Sequence, residues 1–304
     1  MSLPTAATPA MDDPGSEIEY EIPAVVRVHK SGRVVRLNGT DTVPPSPCGD
    51  PANGVSSKDV VLDPAANISA RLYLPAAVAA EPGKKLPVVV FFHGGAFMIH
   101  TAASPLYHNR LRGRLRGPQG RRLLVPAGRR RALARRARRR VPVVLAGDSA
   151  GANMAHRTAV RLRKERIEGY GDKVSGIALL HTYFWGKEPV GGEPTDAALR
   201  GGIDQVWHVA CGGKLGLDHP YINPAASPED LSQLGCVRVL VATAEYCWFV
   251  ERSCAYAAGV KSGWGGELEF YETKGDGHVY FLRKPDCETA AKELAVVADF
   301  VRRC

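Results

Sequence analysis

The chain has 304 residues, 45% of them hydrophobic, enough to bury one sizeable core. It carries forty Lys plus Arg against thirty-one acids, a formal charge of +9. No stretch approaches the roughly 20 apolar residues of a membrane-spanning helix, and the seven scattered cysteines form no C-x-x-C pair, which excludes a disulfide framework in favour of free thiols in a reducing compartment.

Residues 1–17 are rich in Pro, Ala and acids without an apolar signal segment, so a flexible tail and a cytoplasmic protein are expected. Residues 21–37 alternate in places and run into a Pro-rich loop at 43–51. Residues 58–62 and 68–74 read as the first strands, turning at Asp63-Pro64. Residues 86–92 (LPVVVFF) form a buried strand, and His93-Gly94-Gly95-Ala96-Phe97 follows at once. Such a loop after a strand bares backbone N–H groups that can approach an oxyanion, so Gly94 and Gly95 are candidate donors while His93 braces the loop.

Residues 110–140 break the pattern. They hold fourteen arginines, no lysine and no acid, and without them the chain has twenty-six basic residues against thirty-one acidic, a charge of −5. The basic balance is therefore local. The segment lacks the aromatic interleaving and motifs of a nucleic-acid site, so no nucleic-acid or membrane partner is expected. A solvated helix is the ordinary reading of a charge run. The composition (Arg, Gly, Pro, Ala, Leu) favours a reading-frame disturbance in a GC-rich coding sequence. A helix at 106–116, a poor strand at 123–126 and a nearly all-charged helix at 130–140 are what the segment offers, and fourteen like charges repel one another.

Residues 141–146 are again an apolar strand, and Gly147-Asp148-Ser149-Ala150-Gly151 leads into a helix over 152–164. Strand, sharp turn and helix around G-x-S-x-G describe a nucleophile elbow, with Ser149 as nucleophile and the Ala150 N–H as a further oxyanion donor. Residues 173–181 read as the next strand. Residues 184–217, rich in Gly, Pro and Trp, supply cap helices with Trp185 and Trp207 as candidate acyl-group walls, or plain packing. Residues 237–244 and 268–272 read as strands, and Gly275-Asp276-Gly277-His278 follows the second. His278 alone among nine histidines combines a Gly-bounded loop, a preceding strand and a place after the elbow, which makes it the candidate base; Asp276 shapes its loop. Residues 288–301 form a closing helix with Ala291, Leu294, Ala295, Ala298 and Val301 on one face.

The words FFHGGAF (91–97), LAGDSAGANMAH (145–156), YFWGKEPVGGEPTD (183–196) and the stretch 262–288 resemble the plant carboxylesterases of the hormone-sensitive-lipase type. The similarity is greatest to the members that convert tuliposide A or dehydrate 2-hydroxyisoflavanone. The resemblance implies an α/β-hydrolase: a mostly parallel central sheet flanked by helices, with a helical cap to which 1–50 and about 184–220 contribute, in one domain spanning 1–304. It implies hydrolysis of small acyl esters through an acyl-enzyme, with no metal or organic cofactor; oligomeric state is left open. Gibberellin receptors share the fold and resemble the chain but lack the catalytic His, so a ligand-binding remnant is the alternative. Lyase or transacylase chemistry at the same serine is another.

In two places the chain departs from that family. Relatives carry a Y-R-L-A-P-E word between the two site motifs, absent here. Their acid lies in a word A-E-x-D, which here reads Ala244-Glu245-Tyr246-Cys247, so Cys247 stands at the acid position. Glu245 and Glu251 are the nearest carboxylates, and Glu245 is the possible substitute. Limited trypsin digestion is expected to cut first within 110–140; a protease-resistant segment there would speak for genuine folding.

Overall fold

The computed structural model describes residues 17–51, 54–75, 87–108, 141–165 and 174–304. Three small strands open the chain, β1 (Ile18–Ile22), β2 (Val26–His29) and β3 (Val34–Arg36), in an antiparallel sheet. β4 (Val55–Asp63) and β5 (Ile68–Pro75) pair antiparallel as a hairpin that turns at Asp63, whose side chain accepts the Ala65 and Ala66 N–H groups. The rest is β6 (Val88–Phe92), β7 (Val143–Asp148), α1 (Ala150–Lys164), β8 (Val174–Leu180), α2 (Ala197–Ala210), α3 (Pro228–Ser232), β9 (Arg238–Tyr246), α4 (Val250–Gly263), β10 (Glu267–Gly277), α5 (Tyr280–Arg283) and α6 (Glu288–Arg303). The expected helix over 106–116 has its first turn at 105–108; its remainder, and the readings at 123–126 and 130–140, lie outside the described residues.

β6 to β10 form one parallel sheet in the order β6-β7-β8-β9-β10. Its central strands are apolar on both sides, because each side is covered. Leu145, Ile177, Leu179, Val239 and Val241 face the core shared with α1 and α4. Their alternates Val144, Ala146, Ala178 and Leu240 face Phe300 and Val301 of α6. α1 approaches closely because Ala152, Ala155 and Ala159, at helical spacing, are its contact face. Arg161, Arg163 and Lys164 in its last turn complement the negative end of the helix dipole.

The closing helix buries Ala298 and Val301 of its expected face but not all of that face. Ala291 is exposed, and the buried face runs through Ala290, Glu293, Ala298, Phe300 and Val301. Apolarity alone hid Glu293, which is buried because its carboxylate accepts hydrogen bonds from Thr273 Oγ1 (3.1 Å) and Tyr280 Oη (2.9 Å) and lies 3.3 Å from His181 Nε2.

A second buried polar group sits between α1 and α4. His156 is fully buried, edge-on to Phe184, with Nδ1 3.0 Å from Tyr256 Oη. Burial pushes its pKa down to about 3. The unfolded chain therefore binds a proton between pH 6.5 and 3 that the native state refuses, so stability is full above pH 6.5 and falls as pH drops. From pH 7 to pH 5 this one group removes about 2 kcal/mol. Urea unfolding at the two pH values measures it, and His156→Gln is expected to flatten that dependence.

Candidate active site

The residue that follows each strand of the parallel sheet has a side chain able to do acid–base or nucleophilic chemistry: His93 after β6, Ser149 after β7, His181 after β8, Cys247 after β9 and His278 after β10. Parallel pairing brings these five strand ends to one edge, where α/β sheets place their ligands.

Ser149 occupies the elbow with φ 53° and ψ −121°, a strained conformation for a residue with a side chain. The turn is possible because Gly147 and Gly151 flank it: a Cβ on Gly151 would strike the Phe92 carbonyl, and one on Gly147 the backbone of Gly151. The strained turn is held by the Ser149 N–H, donated to Leu180 O at 2.9 Å, and by its carbonyl, which accepts from Tyr183 N. Among the described residues, six of the eight non-glycine positions with positive φ lie around this site: Ala96, Phe97, His100, Ser149, His181 and Val279. For the β-branched Val279 (φ 46°) this is a genuine outlier, and it sets the direction of the neighbouring His278.

His278 Nε2 lies 3.0 Å from Ser149 Oγ, and its Nδ1 lies 3.1 Å from Cys247 Sγ. Serine, imidazole and thiol thus stand in line, with Cys247 where the acid was sought. Burial alone would push the Cys247 thiol up, but the imidazoles of His181 and His278 beside it outweigh that and hold it at about 6. Glu245 is placed differently from the expectation that it might substitute: its carboxylate accepts the Gly275 N–H at 2.9 Å, anchoring the loop before His278 rather than touching its ring. It is the last but one residue of β9. Glu251 packs against Gly191 and Gly192. Asp276 accepts from Thr289 Oγ1 (2.8 Å), tying the loop to the start of α6, in keeping with a shaping role.

The 93–97 loop places Gly94 differently from the sequence reading. The Gly94 N–H is already donated, to Tyr107 Oη (2.9 Å) and Asp148 Oδ1 (3.1 Å), so it is not offered to a ligand. Tyr107 in turn donates to Asp148 Oδ2 at 3.0 Å. Burial pushes the Asp148 carboxyl up from the ordinary range against the hydrogen bonds from Tyr107 and Gly94. The N–H groups of Gly95 and Ala150 have no hydrogen-bond acceptor among the described residues, and Ala96 beside them is in the same position. Gly95 has φ 114°, and a Cβ there would strike the Ile99 carbonyl. His93 Nδ1 stands 2.8 Å from Gly94 O, a bracing contact within the loop. Sequence reasoning missed Asp148 and Tyr107; the signal was the acid inside the elbow word itself, too buried to remain without a partner.

A cavity of about 530 Å³ opens in front of Ser149 and His278. Gly95 and Ala96 line it from the loop, Leu199, Ile203 and Val206 from α2, and Tyr183, Trp248 and Phe249 from the strand-end segments. Val25 reaches it from the N-terminal sheet, which leans on α2 through Tyr20 Oη and His208 Nε2 (3.1 Å). Trp185 and Trp207 are not among the lining residues. Trp185 is fully buried, donates to Asp204 Oδ1 (2.7 Å) and lies under the Arg200 guanidinium, so it packs the cap rather than walling the cavity. Trp207 packs edge-on to Phe97.

The model of a family described as the α/β-hydrolase fold matches residues 130–282. "Probable carboxylesterase 13" of Arabidopsis thaliana is 39% identical over 332 residues, covering 94% of this chain and 98% of that protein. The chain belongs to the α/β-hydrolase fold family. This hydrolase is also similar to "Probable carboxylesterase 7" of the same plant, 37% identical over 95% of the chain and 99% of that protein. "Tuliposide A-converting enzyme 2, chloroplastic" of Tulipa gesneriana is 38% identical over 90% of the chain and 75% of that enzyme. Among solved structures, a Pyrobaculum calidifontis esterase superposes with a TM-score of 0.57 at 22% identity over 81% of this chain and 84% of that one. Brefeldin A esterase, a bacterial homologue of human hormone-sensitive lipase, gives 0.60 at 17% over 82% and 77%. The hydrolase is a carboxylic-ester hydrolase by kinship with these plant proteins. No helix among its described residues is long and apolar enough to cross a membrane, and none of its seven cysteines is bonded to another.

Tyr107→Phe leaves the Asp148 Oδ2 without its donor, and is expected to cost about 1–3 kcal/mol in urea unfolding and to lower ester turnover through the loop it anchors. An unchanged unfolding midpoint would show that the loop is held by other contacts.

Proposed function

We propose that this protein hydrolyses small acyl esters by a serine mechanism, with Ser149 as nucleophile and His278 as general base. The observation that carries the reading is the 3.0 Å approach of His278 Nε2 to Ser149 Oγ at the floor of a cavity edged by uncommitted amides. The imidazole takes the Ser149 proton as the oxygen attacks the ester carbonyl. The N–H groups of Gly95, Ala150 and Ala96 receive the developing oxyanion, the contribution that is usually largest. The imidazolium returns its proton to the departing alcohol, and water, deprotonated by the same base, releases the acid from the acyl-enzyme. Apolar walls from Leu199, Ile203 and Val206 suit an uncharged acyl group.

Cys247 is the weak member. Its sulfur meets His278 Nδ1, so the imidazole is held in the tautomer that leaves Nε2 free to accept. Sulfur is a larger and poorer acceptor than a carboxylate oxygen, and it balances an imidazolium less well. Losing the carboxylate while keeping its site costs on the order of 10⁴ in turnover in the serine-protease template. Turnover is accordingly low, and a ligand-binding role with residual hydrolysis is the second reading, which this same substitution favours. Purified protein is expected to react with a fluorophosphonate at Ser149 and to hydrolyse p-nitrophenyl acetate slowly. Cys247→Asp raises that rate at least tenfold, and Ser149→Ala abolishes both signals. Absence of labelling in protein whose circular dichroism is native would overturn the hydrolytic reading.

A further inference from the structure

We propose that His181, Cys247 and His278 form a binding site for a thiophilic divalent cation of the zinc class, and that occupation switches the hydrolase off. One donor atom from each of the three lies within 4.8 Å of the other two. The three residues follow three neighbouring strands, β8, β9 and β10, so the sheet, rather than a flexible loop, sets their spacing. One thiolate with two imidazoles is a donor set that suits zinc, cadmium or cobalt and is poor for magnesium or calcium.

The dimensions are close. With a zinc–sulfur length of about 2.3 Å and zinc–nitrogen of about 2.1 Å, tetrahedral donors stand about 3.5 Å apart. Cys247 Sγ and His278 Nδ1 are 3.1 Å apart, so the pair needs to open by a few tenths of an ångström. His181 has the support that metal-bound imidazoles ordinarily have: the Glu293 carboxylate lies 3.3 Å from Nε2 and is itself fixed by Thr273 and Tyr280. The Val279 N–H lies on His181 Nδ1 at 3.1 Å, so a cation that takes that lone pair replaces this hydrogen bond, while Nε2 keeps its proton toward Glu293. Cys247 is buried, but His278 and Val279 line the cavity, which supplies a path for a small ion and room for water as fourth ligand.

The consequence for catalysis follows from the chemistry of imidazole. When the cation takes the lone pair of His278 Nδ1, the ring's proton resides on Nε2, and the Cys247 proton leaves to solvent. Nε2 then points an N–H at Ser149 Oγ and cannot accept its proton. A carboxylate at position 247 would offer a harder donor, so the soft site is a product of the cysteine. The binding step stands on the donor geometry alone; the inhibition rests on the serine mechanism proposed above.

Titration of the reduced full-length protein with Co²⁺ tests both parts. A thiolate-to-cobalt charge-transfer band and intense tetrahedral visible bands are expected at one equivalent. Cys247→Ser is expected to abolish the charge-transfer band, and His181→Asn to weaken cobalt binding at least tenfold. No band in the wild-type protein, or a band undiminished in Cys247→Ser, overturns the site. Should Cys247→Ser fail to fold, an unchanged cobalt affinity in His181→Asn overturns it instead. In parallel, Zn²⁺ is expected to suppress p-nitrophenyl acetate hydrolysis at least tenfold, with recovery on adding EDTA. Saturation of the cobalt bands without loss of turnover overturns the switch. A cobalt site in a protein with no turnover under any condition leaves the site standing and removes the hydrolytic reading.

Discussion

Parallel pairing of five neighbouring strands is the constraint from which the rest of this molecule follows. β6, β7 and β8 end near one level, with Phe92 paired to Gly147 and Asp148 to Leu180, while β9 and β10 run on past the level of Leu180, Ala242 and Tyr271 to Tyr246 and Gly277. Residues distant in sequence, 149, 181, 247 and 278, are then delivered to one edge without any loop having to find them. A one-residue slip in any strand would turn its terminal side chain to the opposite face and take it out of the site. The apolar alternates on both faces of β7, β8 and β9 make such a slip expensive, since either face must meet a helix.

Delivery alone does not orient the side chains. The last step is made by backbone strain: Ser149, His181 and Val279 all hold positive φ one residue or so beyond their strands. Residues in such conformations persist only where their surroundings over-determine them. Here Leu180 O holds the Ser149 amide, His181 Nδ1 holds the Val279 amide, and Asp148 with Tyr107 holds Gly94. The buried acids Asp148 and Glu293 therefore serve as anchors, Asp148 for the Gly94 amide and Glu293 beside His181. Replacing either by an apolar residue would leave donors unsatisfied in a dry interior, which costs more than the hydrogen bonds contribute net.

Position 247 is where this hydrolase parts from a complete Ser-His-acid arrangement. Geometry is preserved: the sulfur meets the imidazole nitrogen that a carboxylate would meet. The chemistry is altered, from a hard anion that is charged at all physiological pH to a soft, polarisable group in contact with two imidazoles. The same substitution lowers the expected turnover and creates an affinity for soft cations. Neither effect requires any rearrangement of the fold, because Cys247 occupies its place with little exposed surface and no strain of its own.

Much of the fold was legible in the residue order, because the signals are local. Apolar runs of five to nine residues marked β6 to β9, Asp63-Pro64 marked the hairpin turn, and the flanking glycines marked the elbow around Ser149. Ser149, His278 and Cys247 followed from motif and chain order. What local signals could not carry is any decision taken between distant elements. The sequence could not reveal that Gly94 is consumed by Asp148 and Tyr107, that Glu245 turns to Gly275, that Trp185 packs the cap instead of the cavity, or that α6 buries Glu293 in place of Ala291. Each depends on which polar partner lies opposite in three dimensions, and a hydrogen bond between residues from 13 to 112 positions apart leaves no periodicity in the chain. Sequence by itself determined the elements and the identity of the chemically active groups; tertiary structure decided which of their donors and acceptors remain free for a ligand.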